Sequence, residues 1–332
     1  MARYFENSAD GLVPDALSGF ARAHADLVEY DPVDGYVTAR HTAPGRRVGL
    51  LSGGGSGHEP MHAGYVGAGM LDAACPGRVF ASPHNRQIYR ASLAAARSDG
   101  VLHIVKNYTG DRINFGIAAE RLADHGITCK RVLVDDDLAS DSEEIAAGRR
   151  GTGGTVLVEK ILGGAADAGL GIEELAELGT AVVSRCRTLA VASAAHHAPS
   201  TGERAFDLPA GELEYGVGIH GERADRTRPQ ESVRALVEDM AGALLDELRP
   251  GTDEPVVALV NGLGSVTSLE LYGIFGELGQ VLDARGIRPA RHLVGDYVTA
   301  LDMRGFSLTL LVAGPAVLDF YDAPVHTPAL RW

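Results

Sequence analysis

Three short stretches of the chain gather residue types that can do chemistry. The first is Leu51-Ser-Gly-Gly-Gly-Ser-Gly-His-Glu-Pro60, directly after an apolar run. Four glycines in five positions cost too much as helix or strand interior, about 1 kcal/mol each against alanine. They suit a turn whose backbone N–H groups face a small polar ligand closely. His58 follows them, and Pro60 suits the first position of a helix. The second stretch is Lys106-Asn-Tyr-Thr-Gly-Asp111, at the carboxyl end of a strand, where open α/β sheets collect ligands. Asp111 there reads equally as a helix cap. Lys106 is one of three lysines in a chain that otherwise uses arginine, which points to a compact ammonium. The third is Glu214-Tyr-Gly-Val-Gly-Ile-His-Gly-Glu222. It reads as an apolar strand with His220 at its end, between residues that let another group approach closely.

Several familiar chemistries do not fit these stretches. The glycine run lacks the Gly-Lys-Ser/Thr of a nucleotide-binding P-loop, and no Gly-Lys pair occurs in the chain. It is not G-x-G-x-x-G opening a helix with an acidic residue about 20 positions on. His58-Glu-Pro-Met-His62 matches the H-E-x-x-H zinc pattern in its letters. That pattern works only when both histidines lie one turn apart on a helix, and Pro60 leaves His58 in the loop and His62 in the helix. No metal is expected. Asp135-Asp-Asp137 reads as an acidic loop cap before it reads as a magnesium site, and His196-His197 as loop polarity.

The elements that must position these residues alternate. Arg47–Leu51, Val101–Val105 and Arg131–Val134 read as buried strands. Between the last two lies a helix over Arg112–Asp124 with Ile113 and Ile117 on one face. Further on, Ser232–Leu248 places Val233, Leu236, Val237, Met240, Leu244 and Leu248 on a single helical stripe. Pro255–Val260 is a strand, Leu269–Arg285 a helix, and Tyr297–Ala300 and Phe306–Val312 closing strands. This is α/β grammar. A boundary near residues 185–200 gives two α/β lobes, approximately 1–187 and 188–332, with mixed sheets flanked by helices and ligand loops at strand C-terminal ends.

Composition narrows the partners. Apolar residues make up 45% of 332, enough for a sizeable core. The net charge of −14, with no basic stripe, excludes a nucleic-acid partner. No apolar run is long enough to span a membrane, and Met1–Asn7 has no signal-peptide pattern, so a cytoplasmic protein is expected. Cys75, Cys129 and Cys186 show no paired spacing and read as buried thiols.

Taken together, Ser52–Pro60, Lys106–Asp111 and Gly216–Glu222 resemble three signature blocks of dihydroxyacetone kinase substrate-binding domains. Val79–Pro83, Gly148–Gly151, Glu270–Tyr272 and Asp322–Trp332 agree, in order, along essentially the whole chain. The resemblance implies a small ketose held between strand-end loops, with His220 adding to its C2 carbonyl to form a hemiaminal. It implies that His58 and Asp111 are polar partners of the ketose and supply the base, without deciding which is principal. Lys106 and the amides of Gly55, Ser56 and Gly57 match positions that orient the substrate.

The family has single-chain members with an added helical nucleotide-binding domain. This chain resembles the free-standing subunit, so no cofactor is expected on it. Nucleotide and magnesium belong to a separate kinase subunit, recharged in many bacteria by a phosphotransferase-system protein. A homodimer is the family expectation. His84-Asn-Arg-Gln87 and His196-His197 depart from the common pattern and leave open whether the ketose is dihydroxyacetone or erythrulose. A non-catalytic ketose sensor acting on a transcription regulator is the competing class.

Overall fold

The computed structural model describes residues 4–140, 148–224, 226–251 and 253–332. In chain order these form α1 (Leu12–Ala23), β1 (Val28–Asp31), β2 (Tyr36–Ala39), β3 (Gly49–Ser56), β4 (Ala73–Val79), α2 (Asn85–Ala95), β5 (Val101–Lys106), α3 (Thr109–Asp124) and β6 (Cys129–Val134). There follow α4 (Gly154–Asp167), α5 (Ile172–Ser184), β7 (Cys186–Ala194), β8 (Glu212–Tyr215), β9 (Thr227–Pro229) and α6 (Val233–Leu248). The chain closes with β10 (Val256–Gly262), α7 (Ser268–Ala284), β11 (Pro289–Gly295), β12 (Arg304–Val312) and α8 (Pro315–Asp322).

Two α/β lobes result, each with a mixed sheet flanked by helices. One comprises Tyr4–Val134, Thr155–Ala181 and Ala316–Trp332. Its sheet order is β1-β2-β4-β3-β5-β6. Strands β4, β3, β5 and β6 run parallel, and β1 and β2 add an antiparallel edge. We call this the parallel lobe. The other is built from Asp135–Gly154 and Val182–Pro315, with sheet order β11-β10-β12-β7-β8-β9. Only β10 and β11 pair in parallel there, and the rest is antiparallel. We call it the antiparallel lobe. The lobes are therefore discontinuous in sequence. The single cut expected near residue 187 falls close to the crossing at 181/182, but the crossings at 134/135, 154/155 and 315/316 carry no compositional mark. A chain that passes between two cores by short loops leaves no linker for sequence to show.

Each core follows from its helices' apolar stripes. In the antiparallel lobe, Val237, Met240, Leu244 and Leu248 of α6 pack with Leu271, Ile274, Leu278 and Leu282 of α7 against Val256, Ala258 and Val260 of β10. Ser232 caps α6, and Thr267 with Glu270 forms a reciprocal capping box on α7. Val233, on the expected stripe, is exposed because it is the first residue inside the cap. In the parallel lobe, Phe115, Ala118 and Leu122 of α3 pack beside Val101 and Val105 of β5.

Four expectations are corrected. The glycine run is not a turn: β3 continues through Gly53, Gly54 and Gly55 to Ser56, fully buried. A central strand crowded by parallel neighbours leaves no room for side chains. A Cβ on Gly53 would stand 2.7 Å from the Cys75 carbonyl oxygen, and one on Gly55 2.7 Å from the Ala81 amide. Pro60 does not open a helix; residues 57–62 are turn, and only a short 3-10 helix, Ala63–Tyr65, follows. On α3 the buried face is Asp111, Phe115, Ala118 and Leu122, while Ile113 and Ile117 are exposed. Tyr297–Ala300 is irregular, and the strand before it is β11. There Asn261 takes the amides of Tyr297 and Val298, so a side chain replaces the ladder.

Candidate active site

In the parallel lobe the polar residues converge on the carboxyl ends of β3 and β5. Lys106 is the last residue of β5 and is fully buried. Its Nζ lies 2.9 Å from His62 Nε2 and 4.0 Å from Asp111 Oδ2. Gly54 explains how so large a cation fits: a Cβ at that position would overlap Lys106 Nζ. Burial lowers the ammonium's pKa, and the charges of Asp111 and Glu159 oppose that shift.

His62 joins three groups. Its Nδ1 lies 2.6 Å from Glu159 Oε1 of α4 and 3.0 Å from Ser52 Oγ of β3. Ser52 spends its own proton on the Ile104 carbonyl at 2.8 Å. Both Nδ1 neighbours therefore accept. The ring carries its proton on Nδ1, and Nε2 accepts from Lys106. Burial, and then the Lys106 charge, keep His62 below the usual histidine range, against the pull of Glu159 and Asp111.

Asp111 stands in the first turn of α3, whose cap is Tyr108, so Asp111 is not the cap itself. The helix N-terminus favours a carboxylate there. Its Oδ1 is buried and accepts no hydrogen bond among the described residues. His58, also buried, stacks on Phe80 with ring centroids 4.9 Å apart. One strand-end amide is less open than expected. Gly57 N–H donates to the Glu59 carboxylate at 3.0 Å, and Ser56 Oγ donates to the Gly77 carbonyl at 2.7 Å.

In the antiparallel lobe, His220 sits in a loop rather than at a strand end, because β8 stops at Tyr215. Gly216 turns the chain with φ +90°, and its amide donates to the Ala190 carbonyl at 2.8 Å. Glu222 grips His220 twice. One carboxylate oxygen lies 2.8 Å from Nδ1, and the other accepts the His220 amide at 2.9 Å. Arg150 fastens the loop, donating to the Gly216 carbonyl at 3.0 Å and to Asp137 at 2.7 Å, with Glu222 at 4.0 Å. Any side chain on Gly218 would strike the Glu222 carboxylate. Burial works against the charge on Glu222, but the His220 hydrogen bond and the His220 and Arg150 charges outweigh it and pull its pKa down to about 2.

Around His220, Gly221 leaves room for His196, whose Cε1 lies 2.9 Å from where a Cβ would stand. Burial lowers the pKa of His196, and the neighbouring His220 adds to the effect. His197 is committed to Asp302 through Nδ1 at 2.9 Å. Asp136 accepts from the amides of Thr152 and Gly154 and the hydroxyls of Thr152 and Thr188, so it works as a cap. Among the described residues, no group of three or more His, Cys, Asp or Glu is placed to hold a metal ion.

Sequence reasoning missed His62, Glu159, Arg150 and Glu222 as site residues. Glu222 and Arg150 lay inside quoted motifs, and His62 was noticed only for the zinc pattern. Glu159 is 97 positions from its partner and carries no local signal.

With this geometry in place, comparison with known proteins gives a consistent answer. Residues 18–329 match the Dak1 domain. The chain is 41% identical to the PEP-dependent dihydroxyacetone kinase, dihydroxyacetone-binding subunit, of Escherichia coli, covering 98% of each chain. It is 43% identical to the corresponding PTS-dependent kinase 1 subunit of Listeria innocua, covering 97% of this chain and 98% of that one. Among solved structures, it superposes on a dihydroxyacetone kinase operon co-activator with a TM-score of 0.89 at 33% identity, covering 95% of this chain and 97% of that one. The dihydroxyacetone kinase of C. freundii gives a TM-score of 0.89 at 34% identity, with all of this chain matching 60% of that one.

Proposed function

Because the chain belongs to the Dak1 domain family, we propose that it is the ketose-binding subunit of a dihydroxyacetone kinase. It captures a short ketose on His220 for phosphorylation by a separate nucleotide-carrying subunit. The observation that carries this reading is the Glu222 carboxylate on His220 Nδ1. A carboxylate only accepts, so the neutral imidazole bears its proton on Nδ1 and its lone pair on Nε2. That lone pair adds to the ketose C2. The C2–Nε2 bond forms, the C=O π bond breaks, the alkoxide oxygen takes a proton from solvent, and the Nδ1 proton passes to the Glu222 carboxylate, which leaves a neutral hemiaminal. A plain polyol offers no carbonyl and cannot gain this bond, so covalent capture selects ketoses.

In this reading His58 and Asp111 bond the ketose hydroxyls and supply the base. The phosphoryl donor enters through the partner, and the relatives' PEP- and PTS-dependence supports a phosphotransferase-system source. Nucleotide and magnesium then reside on that partner, with this chain a cytoplasmic homodimer. No helix among the described residues is long and apolar enough to cross a membrane.

A crystal soaked with dihydroxyacetone tests the proposal. Continuous density from the His220 ring to C2 is expected, and its loss in His220→Ala. A ketose lying free of the ring would contradict the covalent step, while occupancy by erythrulose alone would change the substrate and keep the mechanism. The co-activator's likeness supports a second reading, a ketose sensor without turnover. Mixing the chain with a cognate nucleotide subunit separates the two, since only the enzyme yields ketose phosphate.

A further inference from the structure

A chain of buried polar groups in the parallel lobe has no role in the steps above. Glu159, His62 and Lys106 are each fully or almost fully enclosed, on three different elements, and they end beside Asp111. Burying this many charged and polar groups is costly unless each is held in one arrangement. The distances leave only one. Glu159 takes the Nδ1 proton of His62, Nε2 must then accept from Lys106, and the ammonium is left facing Asp111 at 4.0 Å. Gly54 supplies the space in which Nζ sits.

Resting on the function proposed above, we infer that Glu159 and His62 are positioning residues that fix the Lys106 ammonium against Asp111 during phosphoryl transfer. Lys106 then also bears on the reaction through Asp111. His62 serves as the joint: as a neutral ring it transmits the position of Glu159 to Lys106, and as an imidazolium it would present Nε2–H to an ammonium and break the contact. The charged and titratable groups facing Lys106 are Asp111 from α3, Glu159 from α4 and His62 from the turn. Burial works to discharge the lysine, and Glu159 and Asp111 keep it charged.

The test uses the intact chain with 15N-labelled histidine and lysine. In the wild type, NMR should show His62 as the Nδ1–H tautomer. In Glu159→Gln the Lys106 titration midpoint should fall by about one pH unit or more, the size of a lost neighbouring charge. With the nucleotide subunit added, the variant's turnover should drop about tenfold. Its ketose affinity should stay within a factor of about three, and the alkaline limb of its pH profile should move down with the lysine. An unmoved Lys106 midpoint, or lost turnover with an unmoved alkaline limb, overturns the inference and leaves Glu159 a purely structural acid. Should Glu159→Gln fail to fold, His62→Gln, which removes the joint but no charge, should cut turnover about tenfold at unchanged ketose affinity, and unchanged turnover would overturn the inference. A wild-type chain that makes no ketose phosphate would sink the proposed function, while the titration would still decide whether Glu159 governs Lys106.

Discussion

The two regions that carry candidate chemistry are built in opposite ways. In the parallel lobe, Lys106, His62, Glu159 and Asp111 are buried together near the ends of β3 and β5, and Gly54 makes room there for the Lys106 ammonium. In the antiparallel lobe, His220 rides a loop, partly exposed, and is held by a carboxylate two residues along and by Arg150. An acid–base group gains from exclusion of water, which strengthens every charge interaction around it. A nucleophile must be reached by its electrophile, so it is oriented from behind. In the functions proposed above, the same histidine side chain thus serves as a neutral joint in one place and as an aimed lone pair in the other.

Substitutions can break this contrast. The largest expected effect is on Asp111→Asn, which keeps the shape and removes one of the two proposed bases. Turnover with the nucleotide subunit should fall by at least about 100-fold, while ketose binding survives. Equal loss of both would move Asp111 from base to binding residue and weaken the division of labour.

Acid should act on the buried histidines. His103, enclosed between Ser92 and Phe115, is pushed by burial, and then by the Arg131 charge, down to about 3. An unfolded histidine takes its proton near pH 6.5, whereas the folded one refuses it until far lower. Stability present at neutral pH is therefore lost as pH falls from about 6.5 toward 3, by on the order of a few kcal/mol. His62 adds to the same trend. Chemical denaturation across that range should show a flatter slope for His103→Leu. An unchanged slope would mean that this ring is protonated in the folded lobe.

The smallest effect sharpens the other half of the comparison. Glu222→Gln keeps the size of the side chain but no longer dictates the His220 tautomer. Adduct affinity, followed by NMR of ketose labelled with 13C at C2, should weaken about tenfold, close to 1.5 kcal/mol for a hydrogen bond to a charged group. An unchanged affinity would show that the loop alone orients the ring.

Much of this was legible in the residues. The helices α6 and α7 and the strands β5, β6, β10 and β12 stood out, because their apolar periodicity is local and strong. His58, Lys106, Asp111 and His220 stood out because glycine-rich, strand-end loops are where ligands collect, and the motif order pointed to the family. The sequence by itself thus determined the element types, the family and the stretches to watch. Only the tertiary structure decided that the glycine run is strand, that Asp111 and not Ile113 faces inward on α3, and that Glu159 reaches His62 across 97 positions. The reason is physical. Periodicity reports which face of one element is apolar, but how closely two strands pack, and which distant side chain completes a buried polar contact, depends on groups that only the folded chain brings together.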